Sequence, residues 1–445
     1  MQRVRGEMKK RALLGAALIL ALTGCAGGPG GRDAGSESEA GVKPQEQAKD
    51  PVELYFYNTS ADWDKDDYFM KEYGLHIQKK FPHVTPVFVP TSAGSLEKLA
   101  SANQRIDVIV SSVGRTFTIL NSAYQTDLTP LIDKNKFDLG RFEGSSIDMI
   151  KQMGNGAIYG LPMYTLPAPL YYNADLFDKF GVAYPTDKMT WDELYETAKK
   201  LTRRDGDRQY YGLMMSPNHY MLRNQLSLNL VDPSTKKATI NTSQVKTMMD
   251  NMIRFYQLPG YDLDTKQLSV GGQRDLFIKE RSAAMWLPVS TMHTETELAG
   301  MNWNIAKFPS LSQLPGVEPQ VYPVYLFISV NSKVKDQAFE VLSFLSSEPF
   351  HMQKSREGSF VSLLQSDAVR KAFGQDAPMY TGKNVAAMIP VRTAAPSPQS
   401  KYYADASSIL NTGVFAQVAT GKKDVNTALR EAEESLIKKI EADAK

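Results

Sequence analysis

One cysteine in 445 residues, standing at position 25, is the feature that most restricts what this chain can become. Everything after it is cysteine-free, so no internal disulfide, thiolate metal cluster or C-x-x-C redox pair is available. The fold has to be held by packing. At 42% apolar and 22% charged residues the chain can do that, and its composition is far from the low-hydrophobicity, high-charge signature of disorder. At roughly 150 residues per domain the length suggests two or three domains, and two is the expectation. Lys and Arg number 51 against 49 Asp and Glu. That balance is too even for a protein whose affinity comes from neutralising phosphates, so nucleic acid is not an expected partner.

The start of the chain reads as an export signal. Arg3, Arg5, Lys9, Lys10 and Arg11 stand against a single acid, Glu7, and an apolar run from Ala12 to Ala21 follows. Ten apolar residues would span about 15 Å as a helix, roughly half a bilayer core, so a cleaved signal over residues 1–24 fits better than a permanent span. The run ends in Leu22-Thr23-Gly24-Cys25, which resembles the bacterial lipobox, and the resemblance implies that Cys25 carries the lipid and becomes the new N-terminus. Loss of residues 1–24 leaves a formal charge of about −2, because five of the basic groups and one acid go with them. Residues 25–50 are rich in Gly, Ser, Glu and Gln, without an aromatic, and cannot repay their ordering entropy. They read as a flexible tether that lets a globular body stand off a membrane surface. No later segment is long and apolar enough to span.

In the body, Val52 to Tyr57, Thr85 to Val89 and Ile106 to Val110 read as strands, with a helix over Leu75 to Phe81 ended by Pro82. This β-α-β order favours a parallel sheet. Asn173 to Phe180 is helical and stops at Gly181, and Thr190-Trp191-Asp192-Glu193 is a capping box opening a helix through Leu201. Lys335 to Leu345 and the segment after Asp424 carry one-sided apolar faces of helical spacing. The periodicity as a whole reads as α/β with two lobes.

Catalytic signatures are mostly absent: no phosphate-binding G-x-x-x-x-G-K-[ST] loop, no H-E-x-x-H, no G-x-S-x-G elbow and no G-x-G-x-x-G. The five histidines are scattered and none pair at i, i+4 spacing, so they read as solvated or packing residues. Ser95-Leu96-Glu97-Lys98 fits S-x-x-K without its companion motifs and reads as a helix start. Asp62-Trp63-Asp64-Lys65-Asp66 alternates carboxylates like a calcium loop, but Asp67 stands where the turn needs Gly and Tyr73 where a bidentate Glu belongs. The loop reads instead as solvated, or as one whose Trp63 and Asp64 face a ligand. Tyr171-Tyr172 and Tyr402-Tyr403 have the look of paired phenolate iron ligands, yet no carboxylate or His cluster completes either site. No metal or cofactor is expected.

Several stretches in order resemble one family, the bacterial extracellular solute-binding proteins of the class that contains the maltose- and oligosaccharide-binding receptors of ABC importers. They are Gly156-Ala157-Ile158-Tyr159-Gly160-Leu161-Pro162, Leu170-Tyr171-Tyr172-Asn173-Ala174-Asp175-Leu176-Phe177 and Thr190-Trp191-Asp192-Glu193-Leu194, supported by Asp107-Val108-Ile109, Asp127-Leu128-Thr129-Pro130-Leu131 and Arg281-Ser282-Ala283-Ala284-Met285. Gly160-Leu161-Pro162 is expected to turn the chain ahead of an interlobe strand, and Tyr171-Tyr172-Asn173 to end that strand at a helix cap. The resemblance implies a periplasmic-binding-protein-like fold of two α/β lobes with a hinge and an interlobe cleft. Crossings are placed near 165–170, 321–327 and 364–370, giving lobe 1 as 51–166 plus 327–366 and lobe 2 as 167–325 plus 367–445.

The implied function is capture of a solute, with sugars as default cargo, and its delivery to an ABC permease by a lipid-anchored monomer on the extracytoplasmic side. It implies no catalytic residue. The resemblance places ten residues at the cleft. Trp63 and Asp64 follow the first strand, Ser111, Ser112 and Arg115 follow the Ile106 to Val110 strand, and Tyr164 lies by the first crossing. Trp286 follows Ala284-Met285, Tyr325 lies in the second crossing, and Tyr402 and Tyr403 stand where relatives often place a stacking aromatic. Where sugar-binding relatives often have an aromatic after Val110, this chain has Ser111-Ser112. Trp191 and Trp303 read as packing. Two other functions share these features: a ligand-sensing partner of a membrane sensor kinase, and a secreted glycan-active enzyme, which would need a carboxylate pair at fixed separation.

Overall fold

The computed structural model describes residues 49–65, 67–289 and 295–443, apart from the side chains of Asp62 and Glu295. The expected signal, Cys25 and nearly all of the expected tether lie outside the described residues. Among the described residues, eleven strands form two sheets: β1 (Val52–Asn58), β2 (Val84–Val89), β3 (Val108–Ser112), β4 (Gly160–Thr165), β5 (Leu170–Asn173), β6 (Arg203–Asp205), β7 (Arg208–Met215), β8 (Ala283–Leu287), β9 (Trp303–Ala306), β10 (Pro323–Ile328) and β11 (Val361–Ser362). The first sheet runs β11-β4-β10-β3-β1-β2 and the second β6-β7-β8-β5-β9. β1 pairs in parallel with both β2 and β3, and β7 with β8. The architecture is α/β, and each sheet carries its own large hydrophobic core.

Local signals fix the helix ends. Asn173 caps the helix Ala174–Phe180 by accepting from the Asp175 backbone N–H, and Gly181 ends it at φ 65°, where a side chain would be strained. Thr190 and Glu193 form the reciprocal capping box of Trp191–Leu201. Asp424 caps Val425–Ala442 through the Asn426 and Thr427 N–H groups. Ser95 of the S-x-x-K stretch is the N-cap of Leu96–Ser101.

One expectation is corrected. Gly160-Leu161-Pro162 does not turn the chain; all three residues lie within β4. Pro162 pairs with Tyr325 at a register shift in β10, a bulge where a residue without an N–H is tolerated. A Cβ on Gly160 would come 3.0 Å from Phe327 Cε1 and 3.1 Å from Tyr325 Cβ, so close strand packing, not a turn, calls for the glycine.

The chain passes from the first sheet to the second over Leu166-Pro167-Ala168-Pro169, between β4 and β5, and returns ahead of β10. At the first passage the Leu166 N–H donates to Tyr322 O (3.1 Å), and the Tyr322 N–H donates to Thr165 Oγ1 (3.2 Å). The two linkers are therefore bonded to each other.

Candidate functional site

In an α/β sheet the strand ends that converge on one side leave polar loops and helix starts with few competing demands, and ligands collect there. At the end of the first sheet that leads into the linkers lie the carboxyl ends of β1 and β3. Thr59 follows β1 and donates its hydroxyl to Ser111 Oγ (3.0 Å). Ser111 is fully buried and Ser112 half-buried, with the Ser112 carbonyl accepting from Thr116 Oγ1. Arg115 is exposed, and its Nη1 donates to Thr59 O at 2.6 Å, which braces the guanidinium across the two strand ends.

Opposite this turn lies the carboxyl end of β7. Ser216 follows it and opens the helix Pro217–Leu222, with Pro217 at a first-turn position where its missing N–H costs nothing. His219 Nδ1 lies 2.6 Å from Ser216 Oγ. Burial, reinforced by the charges of Arg223 and Arg115, pushes the imidazole down to about 4, so it is neutral at ordinary pH. Asn218 Oδ1 is buried without a hydrogen-bond partner, while the Asn218 carbonyl accepts from Ser407 Oγ of the helix Tyr403–Ile409. That helix also approaches the Val113–Arg115 turn. The hinge supplies the floor: the Tyr322 ring lies 5.8 Å from the His219 ring, edge to face. Thr59, Ser112 and Arg115 from one sheet, Asn218 and His219 from the other, and Tyr322 between them form a seam of hydrogen-bonding groups with one braced cation. A polyhydroxylated solute could satisfy the orphaned Asn218 acceptor and the remaining Arg115 donors.

The structure keeps only part of the expected site together. Ser111, Ser112 and Arg115 cluster as described. Trp63, expected to face a ligand, is buried and stacks on Tyr73 (centroids 4.4 Å apart), with Phe69 beside it, in the first core. Asp64 ties two loops together by accepting from the Thr91 N–H and hydroxyl. Tyr164 is half-buried and stacks on Phe360 at 4.9 Å. Trp286 is buried in the second core between Phe277 and Tyr171. Tyr325, expected in a crossing, lies within β10, fully buried, its hydroxyl donating to Ser146 O (2.7 Å). Tyr402 and Tyr403 are buried as well; Lys401 lies over the Tyr402 ring, and the Tyr403 hydroxyl meets Ser397 Oγ at 3.0 Å. In each case the ring turns toward a core because an aromatic's large apolar area is worth more inside than at a polar seam.

Residues the sequence reading passed over are Thr59, Asn218, His219 and Tyr322. A signal existed in Ser216-Pro217-Asn218-His219, a polar run directly after a strand. A separate cavity of about 410 Å³ lies toward the β11 edge, lined by Glu143, Thr165, Ser362, Gln365, Arg370 and Thr393 among others. It contains none of the expected site residues.

The profile of the bacterial extracellular solute-binding protein family matches residues 61–350. The chain belongs to that family. Its members are extracytoplasmic solute-binding proteins. The fold of this solute-binding protein is shared with an ABC substrate-binding protein of Listeria monocytogenes in complex with cycloalternan, at a TM-score of 0.72 and 20% identity over 88% of this chain and 99% of the other. It is shared too with maltose-bound MalE3 of T. maritima, at a TM-score of 0.64 and 18% identity over 86% and 98% of the two chains. A binding protein of Brucella abortus is 25% identical over 231 residues, 48% of this chain and 53% of that protein. The solute-binding protein thus spans about half the length of the curated relatives it matches. Among the described residues, no helix is long and apolar enough to cross a membrane.

Proposed function

We propose that this solute-binding protein captures an oligosaccharide or sugar between two lobes and presents it to the membrane subunits of an ABC importer, held at the membrane by a lipid on Cys25. The lobes are 51–166 with 323–366 and 167–322 with 367–443; β10 is counted with the first because it pairs with β3 and β4 along its length. The observation that carries the reading is the polar seam where Thr59, Ser112 and Arg115 meet Asn218 and His219 across Tyr322. Its groups are hydrogen-bonding rather than ionic apart from one cation, which suits hydroxyl-rich cargo, and the cycloalternan and maltose complexes of the structural relatives point the same way. Contacts made to both lobes at once favour the closed form, and that differential is what a bound solute contributes.

Thermal unfolding of the chain against a panel of oligosaccharides, polyols, amino acids and metal ions tests this. A ligand at about a thousand times its Kd adds roughly 4 kcal/mol, a shift of several degrees. A shift with a glycan that is recovered intact supports the receptor reading. Released product would favour an enzyme, and a response confined to other classes would remove the carbohydrate assignment.

A further inference from the structure

Arg223 ends the helix Pro217–Leu222 on the second sheet's side of the molecule and is 4% exposed. It forms no ion pair among the described residues. Its Nη1 donates to Leu166 O (2.8 Å) and its Nε to Gln320 O (3.0 Å), and its guanidinium lies 5.7 Å from the Tyr322 ring centre. Leu166 belongs to the linker leaving β4, and Gln320 and Tyr322 to the linker entering β10. One rigid planar fork therefore holds two of the three passages between the lobes by their backbone carbonyls. Burial lowers the group to about 10, which leaves it charged at neutral pH.

The surroundings reinforce this grip. Gln320 is fully buried; its N–H donates to Arg223 O (3.1 Å), its Nε2 to Asn224 O (2.9 Å), and its Oε1 accepts from the Ser397 N–H (2.8 Å) and hydroxyl (3.2 Å). Leu222, the preceding residue, packs against both hydrophobic cores. A buried cation without a counterion is costly, and an apolar side chain would be the more stabilising occupant of such a place. What the guanidinium supplies and a methionine cannot is two directed bonds to two separate segments at a fixed angle.

We propose that Arg223 is a positioning residue that yokes these two of the three linkers so that they move together. With Leu166 O and Gln320 O held to the second lobe, lobe rotation falls on the residues just toward the first sheet, Thr165 to Leu166 and Val321 to Pro323, and both linkers must yield together. The inference rests on the reading of the two sheets as moving lobes, but its test needs no solute.

The test is backbone amide exchange on the full chain, comparing the native protein with Arg223→Met, Arg223→Lys and Asn224→Ala. Peptides spanning 163–172 and 318–326 are expected to exchange at least tenfold faster in Arg223→Met, by the same factor in both, with peptides from β1 and β8 unchanged. Arg223→Lys keeps a cation but loses the fork, and is expected to show a smaller rise, again equal in the two linkers; it also serves if the methionine variant does not fold. Asn224→Ala removes the side-chain bonds to Met221 O, Leu228 O and the Leu228 N–H while keeping the backbone carbonyl that Gln320 Nε2 donates to, and is expected to leave both peptides as they were. A rise in one linker alone, no rise in either, or a uniform rise through both sheets would overturn the proposal. None of these results bears on cargo, so the carbohydrate reading stands or falls by the unfolding panel alone.

Discussion

Tyr322 and Gly114 compete for one small space: a Cβ on Gly114 would lie 2.2 Å from the Tyr322 hydroxyl oxygen and 3.2 Å from Cζ. The hinge aromatic thus rests on the turn that carries Arg115, and the fit depends on the missing side chain. Gly114→Ala is expected to destabilise the protein by about 1–3 kcal/mol through overpacking. Tyr322→Phe removes the clashing oxygen, so the double variant should be more stable than the sum of the two single changes by about 1 kcal/mol. Urea unfolding of the four proteins measures that coupling, and strict additivity would refute the contact.

Two buried histidines make the fold sensitive to acid. Burial pushes His351 down to about 3 and His219 to about 4, while both titrate near 6.5 in the unfolded chain. Between those values the unfolded state binds the extra proton, so the stability contributed by each neutral ring is fully present above pH 6.5 and declines as pH falls toward 4 and 3. The decline approaches about 1.4 kcal/mol per pH unit for each group. His351 is the cleaner case: its Nε2 donates to Leu345 O (3.1 Å), which leaves Nδ1 to accept from Ser362 Oγ (2.6 Å). His351→Gln should flatten the dependence of the unfolding midpoint on pH between 6.5 and 4.

Trp286 and Arg115 should respond in opposite ways to truncation. Trp286→Ala empties a core position between Phe277 and Tyr171 and is expected to cost about 3–5 kcal/mol of stability. Arg115→Ala removes an exposed side chain and should change stability by less than about 1 kcal/mol. If the seam is the binding site, Arg115→Ala abolishes the ligand-induced rise in unfolding temperature while leaving the ligand-free value nearly unmoved. Retention of the full rise would take Arg115 out of the site.

Lys354 is 2% exposed and bonds Glu72 Oε2 at 3.0 Å and Glu357 Oε2 at 2.8 Å. Removing a buried partner strands the other charge, so Lys354→Met is expected to cost about 3 kcal/mol, read as a lower urea midpoint. Adding Glu72→Gln to that variant should recover part of the loss.

Cys25→Ala should move the exported chain from the membrane fraction to the soluble one and abolish incorporation of labelled fatty acid. A membrane-bound alanine variant would remove the lipid-anchor proposal.

Helix ends were legible because capping is a local matter. Thr190 needs only Glu193, and Asn173 only Asp175, to show where a helix starts. Gly160 and Pro162 misled because their reason lies across the sheet, in Phe327 and in a bulge of β10, which no local pattern announces. The site divided in the same way. Arg115 stands just after β3 as the periodicity suggested, and Ser111 and Ser112, expected beyond the strand, are its last two residues, whereas Trp63, Trp286 and Tyr325 were placed by position without knowing which way each ring turns. In extended chain a shift of one residue exchanges core and solvent, and a position near a strand end leaves that choice open. His219 went unrecognised because a lone histidine carries no spacing signature; only its neighbours across the seam give it a role.

The six-stranded sheet has β2 at one border and β11 at the other. The first carries Pro86, which has no N–H to offer, and the second is two residues long. Neither border is a good template for a strand from another molecule. Copies of such a protein can reach high local concentration without zipping together through the borders of this sheet.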